Sequence, residues 1–372
     1  MKINKIFFPL ILTGVALFPY TKYPIFSYLF FLIFIVIIGS KILISKKKLF
    51  DSKSFGWPII LLLTQLLLVL FQGLMRSEFN FVNASIDTIQ RILVVVVFIM
   101  LLSNFSLESI SRVLDSTVFI FFMIGLCSLF AFYMTGVRIF NENTLAFFIL
   151  PYLGLQIIKN KRIVPKSLIY IIGVVILFLT GGRASLLAFL LTPLWFFAIK
   201  YTLVRNIFLV LFLLISILIP FAFMDILLQF DSELSGRGSL QNTYTLHLEN
   251  DVMSFLFGTG DFFLDNKVTM GLGPHHSWLG LIFTYGLVGL IINIIITLYC
   301  TKIKIVNQES QFYFLVIFYI FTVQNFETIN IGGISFMSLL LLSCLFLVKK
   351  IQTSLQENHD FIIIKNVRGG RL

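Results

Sequence analysis

The sequence predicts an all-α, polytopic membrane protein, and three observations predict it. Hydrophobic residues make up 58% of the chain and charged residues only 12%, where a soluble globule would carry roughly 25% charged; the mean hydropathy is +0.99. The apolar residues fall in runs of about 20, the length at which a helix crosses the hydrocarbon core of a bilayer. Basic residues gather in the short gaps between those runs, as topology signals do. That placement also excludes a nucleic-acid partner, because the net charge of +11 is spread over many loops and forms no single basic face.

About twelve spans are expected, at 6–20, 24–44, 57–75, 86–103, 113–135, 143–158, 166–181, 183–200, 205–224, 276–299, 311–327 and 331–349. The first and sixth are short, and the seventh and eighth meet at Gly181-Gly182. Lys2 and Lys5 precede the first run as they would in a signal peptide, but no small-residue cleavage site follows, so the run reads as a retained span. With the N-terminus in the cytoplasm, 21 of the 28 Lys and Arg lie on the inner side, and only Lys22, Arg76, Arg91, Arg138, Arg183, Arg237 and Lys267 lie outside. This threefold bias puts both termini in the cytoplasm. The chain then reads as one integral membrane domain over 1–372, ending in a cytoplasmic tail at 350–372. Cys127, Cys300 and Cys344 all sit in apolar runs, too far apart for a zinc pattern, and read as small buried hydrophobes.

One connection is long. Residues 225–274 form a polar external loop of about fifty residues, a length that in a compact chain marks function or disorder. Leu240, Tyr244, Leu248, Val252 and Leu256 recur every four residues within it, which predicts an amphipathic helix lying on the bundle or the membrane surface. The Gly258-Thr259-Gly260 and Gly271-Leu272-Gly273-Pro274 turns lead the chain back into the tenth span.

The residues that can carry chemistry lie on the outer side. His275 and His276 stand where the long loop meets an apolar run, and an imidazole there can act as a general base on a sugar hydroxyl at neutral pH or serve as a polar group at a helix start. Arg183 opens the eighth span behind two glycines. Its planar fork of donors suits phosphate oxygens, and its bland alternative is a snorkelling interfacial arginine. Arg237, in Ser235-Gly236-Arg237-Gly238-Ser239, stands where free backbone N–H groups also favour an anion, or is simply a solvated loop charge. Arg91 with Asp87 reads as an intrahelical pair that can also bind an anion. Arg138 with Glu142, and Glu327 between Asn325 and Asn330, are outward polar clusters able to support a bound sugar from behind the reacting groups. No outward cluster has metal-ligand spacing, so neither metal nor cofactor is expected.

The order of these features resembles the O-antigen polymerase and O-antigen ligase superfamily. The matching stretches are Gly182-Arg183-Ala184-Ser185-Leu186-Leu187, Ser235-Gly236-Arg237, Gly258-Thr259-Gly260, and His275-His276-Ser277-Trp278-Leu279 followed by Gly286-Leu287-Val288-Gly289, covering about residues 180–290. The resemblance implies an enzyme of the bacterial cytoplasmic membrane that uses a polyprenyl-diphosphate-linked oligosaccharide as donor, without metal or nucleotide sugar. Arg183 and Arg237 would hold the diphosphate, and His275 would assist the acceptor hydroxyl, with His276 standing where the family has Asn, Ser or Gln. Membrane lipids, a chain-length regulator and a flippase are the implied partners. A polymerase of O-antigen or capsular repeat units and a ligase acting on a lipid A-core acceptor both fit these residues. A twelve-span glycan transporter fits them less well, since it would place polar residues at mid-span and interrupt helices in both halves.

Overall fold

The computed structural model describes residues 7–17, 103–159, 165–201, 237–259, 276–301, 307–325 and 336–369 continuously, with isolated positions within 29–100 and 204–218. All regular structure among the described residues is helical: α1 (Phe7–Leu17), α2 (Leu107–Thr135), α3 (Glu142–Lys159), α4 (Lys166–Thr180), α5 (Arg183–Leu190), α6 (Thr192–Lys200), α7 (Arg237–Asn250), α8 (Val252–Phe257), α9 (Ser277–Thr301), α10 (Gln308–Val323) and α11 (Phe336–Gly369).

Most helix ends have a local chemical cause. Ser106 caps α2 by accepting from the Ser109 N–H, and Gly136, in the left-handed region at φ 71°, closes it by donating to Phe132 O. The Asn141 side chain accepts from Thr144 N at 2.7 Å at the start of α3. Asn307 and Ser310 form a reciprocal capping box on α10. The expected eighth span is divided into α5 and α6 because Pro193 has no N–H for the Phe189 carbonyl, which accepts the Thr192 hydroxyl instead.

Among the described residues two helical segments, α2 and Ser277–Tyr299 of α9, which breaks at Gly286, are long and apolar enough to cross a membrane. The expected spans at 6–20, 143–158, 166–181, 183–200, 311–327 and 331–349 correspond to shorter or differently bounded helices. Span eleven, expected at 311–327, is the helix Gln308–Val323, which stops at Gln324. Span twelve, expected at 331–349, begins at Phe336 and runs to Gly369, taking in most of the 350–372 tail. No Gly or Pro between Phe336 and Gly369 interrupts it. Of the expected spans at 24–44, 57–75, 86–103 and 205–224 only scattered positions are described, and those positions are helical.

The core is organised on α10, where every residue from Phe312 to Val323 is buried, as a helix apolar all round must be. Helices α3, α5, α6 and α11 surround it. Trp195 stacks on Phe318 with centroids 4.8 Å apart, and Tyr319 shares a 2.9 Å hydrogen bond with Thr192. The direction of α3 along α10 follows from its contacts. Lys159 lies 5.5 Å from the Phe312 ring, while a Cβ on Gly154 would stand 2.9 Å from the Tyr319 ring. The two helices are therefore antiparallel, and the start of α3 shares one end of the bundle with the end of α10. On α4 the outward residues Leu168, Ile171, Ile172, Val175, Phe178 and Leu179 are large, apolar and exposed, a stripe wider than a soluble surface carries.

Candidate functional site

Four helix ends meet around Arg183. Gly181, at φ 78°, ends α4, and Gly182 precedes Arg183, the first residue of α5, whose side chain is exposed. The Tyr133 hydroxyl of α2 donates to Leu179 O at 3.0 Å, which fastens the end of α2 to the end of α4. The first turn of α3 presses directly on the glycines. A Cβ on Gly182 would fall 2.4 Å from the Ala146 Cβ and 3.2 Å from the Glu142 carbonyl oxygen, and one on Gly181 would fall 2.9 Å from the Glu142 carboxylate. Only residues without a side chain allow that approach. Glu142 in turn accepts from Arg138 Nη1 at 2.6 Å, and the Arg138 guanidinium lies 4.6 Å from the centre of the Phe132 ring. Arg138 and Glu142 thus sit against the glycine turn from which α5 starts at Arg183, although forty residues of chain separate Glu142 from Arg183.

His276 lies at the same end of the bundle, where α9 begins beside the end of α10. Its side chain is 1% exposed, and the backbone N–H of Ser277 donates to Gln324 O at 2.8 Å. The imidazole Nδ1 accepts from Leu279 N at 3.3 Å, so His276 caps α9. A neutral imidazole that accepts at Nδ1 carries its hydrogen on Nε2, so its one basic lone pair is the one engaged by Leu279 N. His276 therefore reads as a helix cap in this geometry.

The glycines of the loop and of α9 form a single contact. At Gly286 the backbone leaves helical geometry (φ 69°, ψ −175°), interrupting α9. Gly258, at φ 85°, ends α8 against that interruption: its Cβ would lie 2.3 Å from Thr284 O, and a Cβ on Gly286 would lie 2.3 Å from Leu256 O. The break frees the Phe283 carbonyl from its helical partner at Leu287. Thr259 occupies it with both its N–H (2.7 Å) and its hydroxyl (3.0 Å). Gly258 and Gly286 are thus a backbone-to-backbone docking device that holds the loop segment on α9.

The loop segment itself is two helices. Leu240, Tyr244 and Leu248 of α7 are buried, with the Tyr244 ring 4.7 Å from Phe283. The four-residue stripe fails at Val252, which is exposed, because Asp251 starts a new helix by accepting from Met253 N and Ser254 N. His247, which no sequence pattern singled out, sits 5.7 Å from Phe283 on the same face. Arg237 is the first residue of α7. His275, Arg91 and Glu327 lie outside the described residues.

Sequence reasoning also passed over Asp115, Lys159 and Glu309 at the opposite end of the bundle. Lys159 Nζ bonds Asp115 Oδ2 at 2.6 Å, and Ser111 joins Lys159 to Glu309. The visible signal was an acidic residue inside an apolar run, which in a membrane-facing segment calls for a named partner. No family model, no curated protein and no solved structure matches this chain.

Proposed function

We propose that the chain is a polytopic glycosyltransferase of the bacterial cytoplasmic membrane, with about twelve spans and both termini in the cytoplasm. On the outer face it joins polyprenyl-diphosphate-linked repeat units of an O-antigen or capsular polysaccharide. The observation that carries this reading is the packing of the Arg138–Glu142 pair on the glycine turn that leads into Arg183, at the same end of the bundle as the His276–Gln324 junction. An exposed arginine at a helix start, where the helix dipole favours an anion, suits a diphosphate. The outward apolar stripe of α4 suits a lipid environment for both the protein and the polyprenyl tail.

In the proposed reaction the acceptor hydroxyl oxygen attacks the anomeric carbon of the donor glycan. The bond from that carbon to the diphosphate oxygen breaks, the polyprenyl diphosphate leaves with the electron pair, and His275 takes the hydroxyl proton. Arg183 and Arg237 hold the leaving diphosphate as its charge develops. The interruption of α9 at Gly286 is the feature a transport reading would use, but α8 fills it with backbone and Thr259 satisfies its carbonyl, which favours transfer.

The test is the purified protein given a polyprenyl-diphosphate repeat unit. A ladder of products without added metal is expected, and a requirement for a divalent ion overturns the mechanism. In the same assay His275→Ala should abolish the ladder, whereas His276→Asn should keep most of it because an asparagine oxygen can accept from Leu279 N as Nδ1 does. The reverse ranking reassigns the base.

A further inference from the structure

We propose that Arg138 and Arg183 grip one and the same diphosphate at the Gly181-Gly182 turn, and that Glu142 is the carboxylate this diphosphate displaces from Arg138. The inference rests on the reading above, that a polyprenyl diphosphate binds at this end of the molecule.

The geometry supplies each part. Arg138 stands in the connection between α2 and α3, with its guanidinium beside the Phe132 ring and one Nη on Glu142. Stacking on a ring fixes the plane of the fork while leaving the side chain 44% exposed. One carboxylate oxygen of Glu142 is on Arg138, and the other lies against the Gly181 backbone, 2.9 Å from where a Cβ would be. The carboxylate thus occupies the ground between Arg138 and the turn that presents Arg183. The first intrahelical bond of α5 is from Leu186 N to Gly182 O, so the preceding N–H groups of that helix favour negative charge at the same turn.

A carboxylate and a phosphate use the same donors of an arginine fork, and the phosphate carries more charge and more acceptor oxygens. A diphosphate drawn to Arg183 and the start of α5 therefore competes with Glu142 for Arg138. Glu142 has a second effect, because its charge repels the bound diphosphate. A polymerase must release a polyprenyl diphosphate in every cycle, and a carboxylate waiting beside the arginine returns to it as the product leaves. Arg138 is in these terms a binding residue, and Glu142 a positioning residue that sets how tightly product is held.

The experiment is equilibrium binding of glycan-free polyprenyl diphosphate, with the monophosphate as control, to the full-length protein in lipid nanodiscs. Arg183→Gln and Arg138→Gln should each weaken binding about tenfold, as loss of a charge-assisted pair does. Glu142→Gln, nearly isosteric and half-exposed, should tighten it about fivefold, the size of a partly screened charge interaction. Glu142→Gln should tighten binding less in the Arg138→Gln background, where only the repulsion of the bound diphosphate is left to relieve. Arg138→Lys, which keeps charge without the fork, should fall between wild type and Arg138→Gln, and this separates recognition from misfolding. Wild-type affinity in Arg138→Gln, or no tightening in Glu142→Gln, overturns the inference. If that happens while Arg183→Gln still loses binding, the proposed function stands without it. No binding by the wild-type protein sinks both.

Discussion

The two ends of the bundle carry ion pairs of identical length built in opposite ways. At one end Lys159 of α3 meets Asp115 of α2 at 2.6 Å, with side chains 23% and 29% exposed, and Ser111 extends the cluster to Glu309 of α10. At the other end Arg138 meets Glu142 at the same 2.6 Å, but four residues apart in sequence and 44% exposed on both sides. Distance therefore does not separate a structural pair from one that can be exchanged for a ligand. Sequence separation and desolvation do. The Lys159 cluster ties three helices together and sits over an aromatic ring, so breaking it leaves charge in a partly dry site. The Arg138 pair closes only a local turn, and its partners can return to water at little cost.

The largest effect expected from this contrast is on stability. Lys159→Met leaves Asp115 without its cation and should cost about 2 kcal/mol, below the full penalty for a wholly buried pair because water still reaches the site. Thermal unfolding in detergent measures it. Adding Asp115→Asn should recover most of the loss, since the stranded charge and not the missing contact is then the cause. A double variant as unstable as Lys159→Met alone would show that the cluster acts through packing.

Only one of the two ends was read from the sequence, and the reason lies in how their charges are placed. Arg138 and Arg183 drew attention because they run against the inward bias of basic charge, a signal that one residue can carry by itself, and Glu142 came with Arg138 as an outward polar cluster. Lys159 did not, because it fell among the many inner cations and was absorbed into the topology count, while Asp115 was hidden inside an apolar run. The helix starts at Glu142, Lys166 and Arg183 lie within one residue of the expected positions, since polar residues and glycines mark them. The contacts that make the site are another matter. Nothing local says that Glu142 rests on Gly181, or that Gly258 docks on Gly286, because a glycine reads as a turn and gives no sign of which distant backbone its missing side chain admits. The restart at Asp251 was visible, with Asp251 followed by Ser254 in the spacing of an N-cap, but the four-residue stripe running through it outweighed the cap.

A smaller loss is expected where the Arg183 end depends on close backbone approach. Gly182 has φ −77°, which any residue can adopt, so Gly182→Ala tests space alone. Its methyl would meet Ala146 Cβ at 2.4 Å and must push α3 away from the turn, costing about 1 kcal/mol, the low end of overpacking, because the start of a helix can shift. Polyprenyl-diphosphate binding should weaken at the same time, because Glu142 and Arg138 move with α3. Ala146→Gly on top of Gly182→Ala should restore part of both. Recovery of stability without recovery of binding would detach the ligand site from the α3 contact.

The smallest effect sharpens the contrast most. Arg138→Gln should change stability by less than about 0.5 kcal/mol, the range of exposed pairs spaced one helical turn apart, so its melting temperature in detergent should match that of the wild-type protein. The Phe132 ring supports the same expectation, since glutamine keeps part of the aliphatic stem that covers it. A substitution that leaves the fold intact yet weakens diphosphate binding about tenfold assigns Arg138 to the ligand and Lys159 to the scaffold. If Arg138→Gln instead destabilised the protein as much as Lys159→Met, the exposed pair would be holding α3 against the glycine turn, and the two ends of the bundle would differ in solvent exposure alone.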